Sequence, residues 1–296
     1  MTRVAFLGLG AIGAPMASHL SKSPFQLTVW NRTRATAEAF GSEHGASVAA
    51  TPADAARGAE FVITCLPSSR EVAEVLEGPH GIMEGLEADA VLIDCTSGDP
   101  AASRGFAANL NQRRASFMDA PVSGGVAGAK AGILTVMCGG EPELVERARP
   151  VLEAFGKKIV LCGPVGSGHA VKAVSNALLA VQVWSTAEAL AALTKLGISG
   201  AVALDVINAS AGRSNASQNL FPERVLTRAF PRTFRLALLD KDIGIATKLA
   251  AEAGAAVPLI DLAARLIHDA RLELGEEADH VEAAKVVESR AGTIIM

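Results

Sequence analysis

A six-residue run near the start of the chain, Gly8-Leu9-Gly10-Ala11-Ile12-Gly13, restricts the fold more than anything else in the sequence. It follows the apolar run Val4-Ala5-Phe6-Leu7 and precedes Ala14 to Lys22, which has helical periodicity. Between a strand and a helix the three glycines do different things. Gly8 permits a tight turn, Gly10 lets the backbone approach a pyrophosphate, and Gly13 lets the helix pack close to the strand. The pyrophosphate of a dinucleotide would then sit against Ala11, Ile12 and Gly13, at the positive end of the helix.

The same alternation continues to about residue 162. Apolar, strand-like runs (QLTVWN, EFVITCL, AVLIDC, SFMDA, TVMCGG, KIVLCG) are separated by helical ones at Thr33 to Gly41, Ser69 to Glu77, Asp99 to Gln112 and Glu141 to Phe155. This pattern predicts a doubly wound, parallel α/β domain of the Rossmann type over residues 1–163. After Gly-Pro-Val-Gly-Ser-Gly the β-branched runs disappear and Ala, Leu, Glu and Lys recur at helical spacing. Residues 164–296 are therefore predicted to be all-α. A long helix from His169 to Leu196 joins the two parts, and shorter helices start at Gly200, about Pro222, Leu238, Pro258 and His280.

With 296 residues, half of them hydrophobic, the chain can fill a large core. A net charge of -4 gives no basic footprint for nucleic acid or an anionic membrane, and the absence of tyrosine removes one stacking platform for single strands. Cys65, Cys95, Cys138 and Cys162 are far apart and lie in apolar runs, as reduced core thiols do. No His-Glu-x-x-His or carboxylate cluster implies a metal. The N-terminus has no signal-peptide pattern, and the later apolar runs are broken too often by Gly and polar residues to suggest a membrane span. These readings lead us to expect a cytoplasmic enzyme, and helices this rich in alanine suggest a homodimer or homotetramer.

Where an acid would hold the ribose of NAD, at the end of the second strand, this chain has Asn31-Arg32-Thr33. Without a carboxylate there, Arg32 and Thr33 can hold a 2′-phosphate, so NADP is favoured over NAD. Lys172 is the only charged residue between Lys158 and Glu188, with Asn176 one helical turn further on and on the same face.

Four segments occur in order along the chain: GLGAIGAPM (8–16), DAPVSGG (119–125), GPVGSGHAVKAVSN (163–176) and KDIGIA (241–246). In these segments the sequence resembles the β-hydroxyacid dehydrogenases, and within them the 3-hydroxyisobutyrate dehydrogenase branch. The resemblance implies a helical domain like that of 6-phosphogluconate dehydrogenase and a substrate carboxylate held by Ser123, Gly124 and Gly125. Those two glycines can also present backbone N–H groups to an anion. Leu66-Pro67 and Thr96 follow the third and fourth strand runs, where ligands of such sheets bind, and by resemblance line the nicotinamide ribose. Lys241 would lie near cofactor and substrate, with Asp242 pairing nearby charge.

Oxidising a hydroxy acid requires a base for its hydroxyl proton, and reduction requires an acid to return it. A lysine in an apolar setting, with its pKa lowered by desolvation, can serve as both. Lys172 is thus the expected general acid/base, with Asn176 orienting the reacting oxygen and His169 in a structural place. The resemblance points first to 3-hydroxyisobutyrate and its semialdehyde, then to glyoxylate or succinic semialdehyde reduction. A full 6-phosphogluconate dehydrogenase would need a longer C-terminal half, and an imine reductase would lack the lysine. A non-catalytic nucleotide-binding interaction protein would be expected to lose Lys172 and gain a basic segment.

Overall fold

The central strands of the N-terminal half are apolar on both faces because each face meets a layer of helices. The computed structural model describes residues 1–22 and 24–296. In chain order this half runs β1 (Thr2–Leu7), α1 (Gly13–Leu20), β2 (Phe25–Trp30), α2 (Arg34–His44), β3 (Ser47–Val48), α3 (Pro52–Ala56), β4 (Phe61–Thr64), α4 (Ser69–Glu77), α5 (Ile82–Gly85) and β5 (Val91–Asp94). It continues with α6 (Pro100–Asn111), β6 (Ser116–Asp119), β7 (Val122–Ser123), α7 (Gly125–Ala131), β8 (Leu134–Gly139), α8 (Pro142–Leu152) and β9 (Gly156–Gly163). Val4, Phe6, Ile63 and Ile93 enter one core with Met16, Phe40 and Val151, while Ala5, Leu7, Val62 and Leu92 enter another with Leu76, Phe106 and Leu110. That division is the two-residue period of a pleated strand buried on both sides.

The strand order is β3-β2-β1-β4-β5-β6-β8-β7, with β9 beside β8. The strands from β3 to β6 are parallel, and β1, with β2 on one side and β4 on the other, marks the point where the winding reverses. The expected doubly wound parallel sheet is present, and at its far edge it adds a strand of the other direction: β8 runs antiparallel to β6 and β7. A parallel return needs a dozen or more residues of crossover. Here β7 and the seven-residue α7 occupy the connection, so the chain turns back beside itself.

The chain divides into two compact units, Met1–Lys172 and Ala173–Met296, and α9 (Ser167–Lys195) runs through the division. Residue 163, where the sequence places the boundary, is the last residue of β9. The second unit is helical: α10 (Gly200–Asn208), a π-helix at Ala216–Val225, α11 (Leu236–Glu252), α12 (Pro258–Leu274), a 3₁₀ turn at His280–Glu282 and α13 (Ala283–Ala291). Its core gathers Trp184 and Leu190 of α9 with Phe221, Leu239, Ile243, Ile267 and Val286.

Three local outcomes differ from the sequence pattern. α2 continues through Gly41 to His44 and stops at Gly45, which has a φ of 69°. Gly41 is there for packing, since a Cβ on it would lie 2.6 Å from a Val48 methyl. Pro222 lies inside the π-helix instead of opening an α-helix. A proline donates no hydrogen bond, and the wider turn relieves the clash of its ring with the carbonyl one turn back. By length and composition α9 could cross a membrane, contrary to the reading from sequence. Its stripe of Ala173, Ala177, Ala180, Trp184, Ala187 and Ala191 instead faces the core of the second unit.

Candidate functional site

The loop after β1 has the shape that its glycines predict. Gly8 has a φ of 104°, and a Cβ on it would lie 2.3 Å from the Cys65 carbonyl oxygen; a Cβ on Gly13 would lie 2.0 Å from the oxygen of Gly8. Gly10 is different, with nothing within 4 Å of its Cβ position. Two glycines therefore close the turn while the third leaves room for a pyrophosphate. Ala11 and Ile12 lead into α1, which has no side-chain cap and no acidic residue in its first turn, so its positive end is not neutralised locally. These residues fit a dinucleotide.

Asn31 supports that loop. Its Oδ1 accepts from the Leu9 N–H at 3.0 Å and its Nδ2 donates to the Thr33 carbonyl at 3.1 Å, joining the end of β2 to the glycines. Arg32 and Thr33 are exposed. Thr33 stands at the N-cap of α2 without a capping side-chain bond, and that helix has no acid in its first turn. Leu66 and Pro67 follow β4 at the carboxyl edge of the sheet, the position sequence assigns them. Thr96 is almost wholly buried, and its hydroxyl accepts from the Leu66 N–H at 3.1 Å, which ties the segment after β4 to the end of β5.

Ser123 ends β7, Gly124 follows at a φ of 135°, and Gly125 opens α7 at 63°. Both glycines are exposed, and a Cβ on Gly125 would meet nothing within 4 Å. The residue that begins this segment, Asp119, is buried and caps the start of α9: its Oδ1 accepts from Gly166 N–H at 2.6 Å and its Oδ2 from His169 N–H at 2.8 Å. Burial pushes its carboxyl above the ordinary 3.8, while His169 and the two N–H bonds pull the other way. Lys172 follows on α9, half-buried.

In the second unit Asn176 is buried and its Nδ2 donates to Asp242 Oδ2 at 2.6 Å. Lys241 Nζ lies 3.1 Å from the other oxygen of the same carboxylate, whose side chain is 1% exposed. Asp242 therefore fixes which way the Asn176 amide points, leaving the amide oxygen free of that bond.

Sequence reasoning missed two buried acids, Asp94 and Asp119. The available signal was an acid ending an apolar strand run, as in AVLIDC and SFMDA. Phe234 is tied to the 3₁₀ turn through its N–H bond to Asp279, whereas Arg213 and Asn215 are exposed. Among the described residues no group of three or more His, Cys, Asp or Glu side chains is arranged to hold a metal.

Residues 3–163 match the family described as the NAD binding domain of 6-phosphogluconate dehydrogenase, and residues 166–287 match the NAD-binding domain of NADP-dependent 3-hydroxyisobutyrate dehydrogenase. The NAD-dependent L-serine dehydrogenase of Pseudomonas aeruginosa is 34% identical over 90% of this chain and 91% of its own. Mitochondrial 3-hydroxyisobutyrate dehydrogenase of Mus musculus is 36% identical over 83% of this chain and 75% of its own. The solved structure of Mycobacterium tuberculosis 3-hydroxyisobutyrate dehydrogenase with L-serine superposes with a TM-score of 0.88 at 32% identity, covering 97% of this chain and 99% of that one. Glycine loop, helical second unit and these likenesses agree: the chain belongs to the NAD(P)-dependent β-hydroxyacid dehydrogenases of the 3-hydroxyisobutyrate dehydrogenase type.

Proposed function

We propose that the protein interconverts a small 3-hydroxy acid and its semialdehyde with NADP preferred over NAD, 3-hydroxyisobutyrate being the first candidate substrate. The observation that carries this reading is the placement of Lys172, half-buried on α9 one turn before an asparagine whose amide is pinned by a buried carboxylate. When bound, the nicotinamide supplies the hydride acceptor. Lys172 Nζ takes the hydroxyl proton in oxidation and returns it in reduction. Asn176 orients the reacting oxygen, and Ser123 with the N–H groups of Gly124 and Gly125 holds the substrate carboxylate. Exposed Arg32, in a segment without an acid, supports binding of a 2′-phosphate.

The second reading is reduction of glyoxylate or succinic semialdehyde by the same machinery. L-Serine, named for one relative and present in one solved structure, is itself a 3-hydroxy acid and belongs in the same panel. We place the enzyme in the cytoplasm as a homodimer or homotetramer. Assaying these acids and semialdehydes by nicotinamide absorbance with both cofactors decides the substrate. The Lys172→Ala variant, folded, should lose at least about 100-fold in kcat, and normal turnover would refute the mechanism.

A further inference from the structure

Two buried polar atoms, one at the end of β5 and one in the first turn of α9, face each other without being joined. Asp94 ends β5 with its carboxylate inaccessible to solvent; its Oδ1 accepts from Thr64 Oγ1 at 2.8 Å and from Thr96 N–H at 3.0 Å. Its Oδ2 has no hydrogen-bond partner among the described residues, nor has His169 Nε2, and the two atoms are 3.9 Å apart with both side chains 0% exposed. The other ring nitrogen, Nδ1, lies 2.7 Å from Ser103 Oγ of α6. The ring is closely roofed, since a Cβ on Gly98 would come 2.8 Å from its Cε1. Unsatisfied polar atoms this deeply buried are rare in native folds and call for an explanation.

The local backbone supplies one. α9 is entered through glycines: Gly166 has a φ of 94°, and a Cβ on Gly168 would lie 2.1 Å from the Met137 carbonyl oxygen and 2.8 Å from Asp119 Oδ2. Such an entry fixes no direction by itself, so the first turn takes its setting from partners elsewhere in the unit. Asp119 of β6 grips the backbone at Gly166 and His169, while the His169 ring is wedged between Asp94 and Ser103. Lys172 follows His169 by three residues, and so lies on the same side of the helix.

We propose that Asp94, His169 and Asp119 are positioning residues that fix the first turn of α9 and thereby the line along which Lys172 Nζ exchanges a proton with the reacting oxygen. The proposal rests on the reading of Lys172 as proton carrier. Among the described residues, the carboxylates of Asp94 on β5 and Asp119 on β6 face His169, and the Arg104 guanidinium of α6 lies beside Gly166 at the entry to the helix. The same cluster reaches the flanking loops. Asp119 opens the segment that ends at Ser123 to Gly125, and Thr96, whose N–H is held by Asp94, accepts from Leu66. One buried assembly in the N-terminal unit therefore sets the proton carrier against the residues proposed to hold substrate and cofactor.

The variants Asp94→Asn and His169→Asn test this, with Lys172→Ala measured beside them in the full chain. Both are compared with wild type for kcat and its pH profile, KM for the best substrate of the panel, dissociation constant for NADP, and melting temperature. A misplacement of about 1 Å costs on the order of 100-fold in rate. The expected result is a loss of kcat of roughly 10- to 100-fold, a displaced limb of the kcat–pH profile, and KM and NADP affinity within about threefold of wild type. Folded variants with wild-type kcat and profile, while Lys172→Ala is inactive, would overturn the proposal and leave the lysine reading intact. Normal turnover of Lys172→Ala would remove both. If Asp94→Asn does not fold, His169→Asn decides alone.

Discussion

At the scale of single residues, the glycine loop separates binding from folding in a way that two substitutions can read. Gly10→Ala adds a methyl where nothing lies within 4 Å, so its melting temperature should stay within about 1 °C of wild type. If that open space receives the pyrophosphate, as the loop geometry leads us to expect, the NADP dissociation constant should rise at least about tenfold, near 1.4 kcal/mol. Gly13→Ala, with its Cβ 2.0 Å from a carbonyl oxygen, should lose both stability and affinity. Calorimetry and nucleotide titration on the pair separate these outcomes, and equal stability loss in both would contradict the geometry. If Arg32 holds a 2′-phosphate as proposed, Arg32→Ala should lower the ratio of kcat/KM with NADP to that with NAD by roughly 10- to 100-fold, the size of a charge-assisted hydrogen bond; an unchanged ratio would refute that role for Arg32.

Among the elements, the 3₁₀ turn at His280–Glu282 depends on one carboxylate. Asp279 accepts from the N–H groups of Thr233 at 2.8 Å, Phe234 at 3.0 Å and Val281 at 3.1 Å, and so ties the start of α11 to the start of α13. Burial works to raise its pKa, but the bond to His280, the His280 charge and the backbone donors outweigh it and hold the carboxyl well below the ordinary 3.8. The native state thus binds the proton more weakly than the unfolded chain. Its contribution is complete above the unfolded value and disappears as pH falls from there toward the native one. Asp279→Asn should cost on the order of 3 kcal/mol at pH 7, and its deficit relative to wild type should shrink between about pH 4 and pH 2 in urea unfolding. A deficit constant with pH would mean that charge is not involved. This element also shows what a sequence conceals. α9 was readable because Ala and Leu recur at helical spacing over many turns, and the glycine loop because its three glycines stand at fixed spacing between a strand run and a helical one. The two-residue strands β3 and β7 and the short helices α3, α5 and α7 carry too few residues to express a period. Asp94, Asp119 and Asp242 find partners 30, 50 and 66 residues away, at Thr64, His169 and Asn176, and no local pattern encodes such a meeting.

Across the whole molecule, chemistry at sulfur is suppressed. Burial pushes the Cys65 and Cys138 thiols up to about 12 and raises Cys95 and Cys162 as well, with Asp94 adding to the effect at Cys65. Native protein at about pH 8 should therefore react with iodoacetamide at all four sites far more slowly than urea-unfolded protein, by mass spectrometry of the alkylated chain. Rapid labelling of Cys65 in the folded state would show that the end of β4 opens. The two-faced sheet has a consequence of another kind. Val62 and Ile63 are joined by a peptide bond yet belong to different cores, whereas Ile63 and Ile93, thirty positions apart, are register partners in the same one. Truncating the sequence neighbours should give stability losses that simply add, while truncating the register partners should give a sum that departs from the double variant by about 0.5 kcal/mol or more. For mutational epistasis in this sheet, closeness along the chain is the wrong measure.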